Sequence, residues 1–179
     1  MARLSDTSDQ ILFHQVMGFI AITFAVFIES AMGHIAALFG ATPKLVICLL
    51  FIMVIKFHHT MTIFTVFTAG LIFDLTQGSP LGFTSSIYLI VFMVAEWRQL
   101  VLIDADAGAI LSEFVLLIAG VMVYSLMVFG LYEGRLPPFA EIMFQIGLTV
   151  LIFPVLNWAV DLYRNIGLYF GGVSQGGRR

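Results

Sequence analysis

Charge is what this sequence has least of. Its 179 residues include 8 Lys and Arg and 11 Asp and Glu, only 11% charged in all. Soluble domains carry roughly 25% charged residues, because a water-facing surface must be solvated. The shortage therefore excludes an ordinary soluble domain. Hydrophobic residues make up 60% of the chain, spread along its whole length and not confined to one anchor. Mean hydropathy is +1.04. The few basic residues form no run, which argues against nucleic acid or a polybasic lipid-headgroup patch. Cysteine is nearly absent: Cys48 has no partner for an intrachain disulfide and reads as a small hydrophobe in an apolar run.

Catalytic signatures are also missing. There is no Ser/His/Asp set, no phosphate-cradling glycine loop ending in Lys and no His-Glu-x-x-His. The expectation is a protein that is not an enzyme and uses no cofactor. His58 and His59 invite a metal reading, but adjacent helical residues diverge and no Cys or Glu stands at ligand spacing. A solvated turn suits them better. His14 and His34 are isolated.

Six apolar runs are present: Ile11 to about Met32, Pro43 to about Phe57, Thr60 to Leu75, Pro80 to about Trp97, Asp106 to about Leu131, and Pro138 to about Tyr163. Thr42 and Ser79 stand before Pro43 and Pro80, a cap followed by a proline suited to the first helical turn. The expected architecture is all-α, a polytopic membrane protein of about six transmembrane helices. The first run is long enough to span and is read as a retained helix, not a cleaved signal. The expected organisation is a polar cytoplasmic N-terminus over 1–10, one transmembrane domain over 11–165 and a flexible Gly-rich tail over 166–179. The second and third runs are shorter than the roughly 20 residues needed to cross ~30 Å. They are two short helices in thinned bilayer or a hairpin that does not fully cross. One continuous helix would place Lys56 at the midplane, at a cost of about 2.5–3.5 kcal/mol.

With six spans and the N-terminus inside, cytoplasmic segments hold Arg3, Lys56, Arg98, Arg164, Arg178 and Arg179, and outer loops hold Lys44 and Arg135. That bias favours both termini in the cytoplasm.

The most informative stretch runs from Ala69 to Gly82: a helix end, a tight turn and a helix start. Gly78 permits the turn, Ser79 can cap the following helix and Pro80 fits its first position. The linker is so short that the two flanking helices must be antiparallel neighbours. Gly78, Gly82 and Ser86 recur every four residues, which suggests a small-residue stripe on the fourth helix, with Thr65 and Ala69 as a similar face on the third. The stripe suits intramolecular packing or a partner helix. Asp74 can cap the turn by accepting N–H bonds from Gln77 or Gly78, or can bind a cation, substrate or partner. Glu29 lies near the outer end of the first helix, Glu113 about two turns into the fifth. Asn157, Asp161 and Asn165 share one face of the last helix, with Arg164 placed to pair with Asp161. That cluster reads as an interfacial anchor or a cytoplasmic partner contact. Pro154 should kink the last helix.

Gly-Leu-Ile-x-Asp-Leu-x-x-Gly-Ser-Pro-Leu-Gly, at Gly70 to Gly82, resembles the characteristic segment of the rod shape-determining MreD family. About fifteen residues carry the likeness; the rest agrees only in length and hydropathy. The resemblance implies a multi-pass protein of the bacterial inner membrane, a scaffold of the cell-elongation machinery. It implies binding to an MreC-like protein, and indirect linkage to an MreB-like actin homologue, RodA and its penicillin-binding partner. Gly70, Asp74, Gly78, Ser79, Pro80, Gly82 and Ser86 are then candidate contacts, with Glu29, Asn157 and Asp161 secondary, and membrane lipid surrounds the chain. The competing reading is the membrane subunit of an energy-coupling-factor transporter, a family distantly similar in fold. It expects a pocket bounded by Asp74, Glu29 and the loops. An ion-coupled carrier would want carboxylates paired near the midplane, and here they lie toward helix ends.

Overall fold

A computed structural model describes residues 2–33, 42–57, 61–103, 105–133 and 139–173. The described chain is all-helical, with six helices: α1 (Ala2–Gly33), α2 (Leu45–Lys56), α3 (Ile63–Gln77), α4 (Phe83–Leu102), α5 (Ala107–Glu133) and α6 (Phe139–Val173). Stretches within α1, α4, α5 and α6 are long and apolar enough to cross a membrane. These are Gln15–Met32, Phe83–Leu102, Ala107–Val128 and Ala140–Leu162. Such length and composition mark a membrane protein.

The expected element order holds and the ends move. α1 takes in the polar segment before Ile11, and α6 continues past residue 165 to Val173. α6 also runs through Pro154 without a break. Helix starts shift more instructively. Pro43 and Pro80 do not open their helices, which begin at Leu45 and Phe83. Pro80 instead accepts a hydrogen bond from Phe83 N at 3.1 Å, and Gly82, at φ 91° and ψ −9°, occupies the third position of that turn. Only a residue tolerant of positive φ fits there, as in a type II turn. Thr60, Pro138, His34, His58, His59, Arg135, Arg178 and Arg179 lie outside the described residues.

α2 is the centre of the bundle. Of its 12 residues, eight are buried: Val46, Ile47, Cys48, Leu50, Phe51, Ile52, Val54 and Ile55. It is walled by α1, α4 and α6. A helix apolar on every side is a buried helix, and α2, about 18 Å long at 1.5 Å per residue, is shielded from the need to match bilayer thickness. α3 packs on α4 and α1, and α5 on α4 and α6. Phe51, Phe114 and Phe153 lock α2, α5 and α6 together, with the Phe114 and Phe153 rings stacked at 4.1 Å between centroids.

The tightest approach is between α3 and α4. A Cβ placed on Gly70 would lie 2.4 Å from the Ser85 Cα, so only glycine admits the α4 backbone there. Ser85 completes the contact by donating to the Phe67 carbonyl at 3.1 Å. Thr65 and Ala69 are buried on the same helix. The expected Gly78–Gly82–Ser86 stripe does not form, because α4 begins only after Gly82. A Cβ at Gly78 or Gly82 would meet nothing within 4 Å, and both have positive φ, 67° and 91°. Their task is backbone conformation, not close packing.

Candidate functional site

Helix starts need acceptors for their free N–H groups, and neither α2 nor α4 carries a capping side chain of its own. Each borrows a carboxylate from the helix before it. Asp74, near the end of α3 and 0% exposed, accepts from Ser79 Oγ at 2.8 Å, Gly82 N at 2.8 Å and Thr84 N at 3.0 Å. Thr84 is the second residue of α4, so the carboxylate occupies the place an N-cap side chain fills, against the positive end of the helix dipole. The Asp74 carbonyl accepts from Ser79 N and from the Gly78 N–H, closing α3 around the left-handed Gly78. Asp74 therefore caps by reaching forward to Ser79, Gly82 and Thr84, where the sequence had suggested side-chain bonds from Gln77 or Gly78. Ser79 serves the carboxylate and does not cap α4.

Glu29 repeats the device one hairpin earlier. Near the end of α1 and 2% exposed, it accepts from Val46 N at 2.9 Å, and Val46 is the second residue of α2. Its other oxygen faces Lys44 Nζ at 3.6 Å. Lys44 in turn lies over the Phe73 ring, 5.5 Å from its centroid, beside Asp74 in sequence. Gln77 Nε2 donates to Ser30 Oγ at 3.3 Å, tying the ends of α3 and α1. On the α6 side, Lys44 N donates to Thr149 Oγ1 at 3.2 Å and Gln145 Nε2 to the Thr42 carbonyl at 3.0 Å. One end of the bundle is thus a connected polar layer built around two buried carboxylates.

A cavity of about 220 Å³ opens beside this layer. α2, α4, α5 and α6 all contribute to its wall, and neither Asp74 nor Glu29 lines it. Among the described residues, this cavity is not bounded by the two carboxylates, both of which are turned onto helix starts.

At the opposite end Lys56, the last residue of α2, reaches α6. Its ammonium lies 2.7 Å from Asp161 Oδ1 and donates to the Asn157 carbonyl at 3.4 Å. Asp161 and Asn157 thus join two helices within the chain, with Lys56 as the visible ion partner; the Arg164 side chain lies outside the description. Gln99 Nε2 donates to the Val54 carbonyl at 2.8 Å, and Arg98 pairs with Glu113 across the α4–α5 hairpin. Ser86, expected on the small stripe, shares a hydrogen bond with Tyr124 of α5 at 2.9 Å.

No family model, curated protein or solved structure matches this chain. Among the described residues, no three His, Cys, Asp or Glu side chains are grouped to hold a metal ion. Thr84, Tyr88 and Gln145 carried no signal in the sequence, and Lys44 and Lys56 stood out there only as charges that set the topology. One clue was available for the caps: neither Lys44 nor Gly82 has a side-chain oxygen to offer the helix that follows it, so the acceptors had to come from elsewhere.

Proposed function

We propose that this chain is a non-catalytic scaffold of the bacterial cell-elongation machinery. It sits in the inner membrane with both termini in the cytoplasm, α2 and α3 completing six membrane-embedded helices. Its direct partner is an MreC-like protein, through which an MreB-like filament and the wall synthases are linked.

The observation that carries the reading is the surface built by Gly70 to Gly82, the segment that resembles the MreD family. Its interior is fully spent: Gly70 seats α4, and Asp74 binds the turn and the helix start. Its exterior projects Leu75 and Leu81, 70% and 71% exposed, from a turn that cannot relax without orphaning buried donors. A rigid knuckle with two apolar tips suits a partner that must be gripped at fixed geometry, since little ordering entropy is lost on binding.

The test is affinity purification of the tagged chain from mildly solubilised native membranes, with mass spectrometry of the recovered proteins. Recovery of an MreC-like protein and wall synthases supports the scaffold. A Leu75→Ser/Leu81→Ser variant should recover much less of them at unchanged expression. Gly82→Leu is unsuitable for this purpose because leucine is strained at φ 91°. Recovery of a transmembrane coupling protein with ATPases overturns the scaffold and favours the transport subunit.

A further inference from the structure

The cavity between α2, α4, α5 and α6 has a feature that packing alone does not explain. Thr84 and Tyr88, 7% and 2% exposed, both line it. Thr84 uses its backbone N–H on Asp74, and the Tyr88 ring packs edge-on against Phe73. Neither hydroxyl is hydrogen-bonded by another described residue, and neither is sealed off from the open space. A buried tyrosine hydroxyl normally finds a partner, since an unpaired one costs about 1–3 kcal/mol. Lys44, Ser125 and Gln145 stand on the same wall. The remaining wall is apolar: Ile87, Val121, Met122, Leu126 and Ile142 among others.

We infer that this cavity binds one amphiphile, its hydroxyl or carbonyl end hydrogen-bonded by Tyr88 and Thr84 beside Lys44, its apolar part against α4, α5 and α6. Size limits the guest. At about 220 Å³ the space exceeds the ~150 Å³ that holds a benzene ring and falls short of the ~300 Å³ where drug-sized pockets begin. It takes a hydrogen-bonding head with a short chain or single ring. That chemistry belongs equally to the ester region and upper acyl carbons of a membrane lipid and to a free small alcohol or ester. Charge favours a neutral head, because Lys44 is already paired with Glu29 and a full anion would have to displace it. The inference is independent of the scaffold reading, since no residue of the Leu75–Leu81 surface lines the cavity.

The experiment uses the full chain purified in mild detergent, as wild type, Tyr88→Phe and Ile142→Trp. Native mass spectrometry counts retained lipid. In parallel, delipidated protein is titrated with 1-octanol, and the shift in its unfolding midpoint is followed by maleimide labelling of the buried Cys48. One lipid retained by the wild type and lost by both variants supports the site with a lipid guest. No retained lipid, but an octanol-dependent shift whose apparent affinity falls about fivefold in Tyr88→Phe, as expected for one hydrogen bond near 1 kcal/mol, supports it with a free guest. Retention or octanol response equal in wild type and Tyr88→Phe, or absent throughout, overturns it. Tyr88→Phe keeps the ring and its packing, so the test survives if Ile142→Trp fails to fold.

Discussion

Replacing Asp74 measures how much of the α3–α4 hairpin hangs on one carboxylate. Asp74→Ala removes an acceptor that serves three donors, two of them backbone N–H groups at the start of α4. Thr84 N is buried and has no access to water, and Gly82 N is held in the same turn. An orphaned buried donor costs about 1–3 kcal/mol, while the half-buried Ser79 hydroxyl can turn elsewhere. The expected loss is about 3 kcal/mol. Asp74→Asn retains one acceptor oxygen, enough for Ser79 and Thr84, but sets an amide N–H against the Gly82 N–H; about 1–2 kcal/mol is expected. Ser79→Ala deletes a single bond to the carboxylate and should cost less than about 1 kcal/mol. The lone cysteine supplies the assay: Cys48 is 0% exposed, so pulsed maleimide labelling across an SDS titration in mixed micelles reports opening of the bundle. The order Ala worse than Asn, Asn worse than Ser79→Ala, is the prediction. An Asp74→Ala protein within about 0.5 kcal/mol of wild type, or no worse than Ser79→Ala, would refute the capping argument.

Gly70→Ala should destabilise by about 1–3 kcal/mol through overpacking against the Ser85 backbone. Gly120→Ala, where a Cβ meets nothing within 4 Å, should be neutral or gain up to about 1 kcal/mol of helix propensity in the same titration. Asp161→Ala strands the Lys56 ammonium, whose side chain is 9% exposed. Adding Lys56→Met should therefore recover part of the loss, and a double variant worse than Asp161→Ala alone contradicts the pairing.

Much of this was legible one residue at a time. Shortage of charge and apolar runs without a two-residue alternation dictate helices in a membrane-like interior, because only helices and closed barrels satisfy the backbone without water and barrel strands alternate. Gly78 before Ser79-Pro80 marked a turn, and a short turn makes α3 and α4 neighbours. Asp74 was marked as a capping or ligand-binding residue because a carboxyl group beside a turn seeks free N–H donors. What periodicity could not supply was which donors. The choice between Gln77 and Gly78 behind it, or Gly82 and Thr84 ahead of it, depends on how far α4 swings over Gly70, and that is set by packing of α3 on α4. The same holds for Glu29, which reads as an outer-end carboxylate in sequence and becomes the cap of a helix beginning sixteen residues later. Lys56 and Asp161 are 105 positions apart and meet only because α6 closes on α2. Two short helices looked like a difficulty for spanning, and burial of α2 among α1, α4 and α6 removes it for one of them. Local sequence chose the elements and their turns; which polar groups meet, and what space is left between α4, α5 and α6, was decided by contacts between residues that no spacing rule connects.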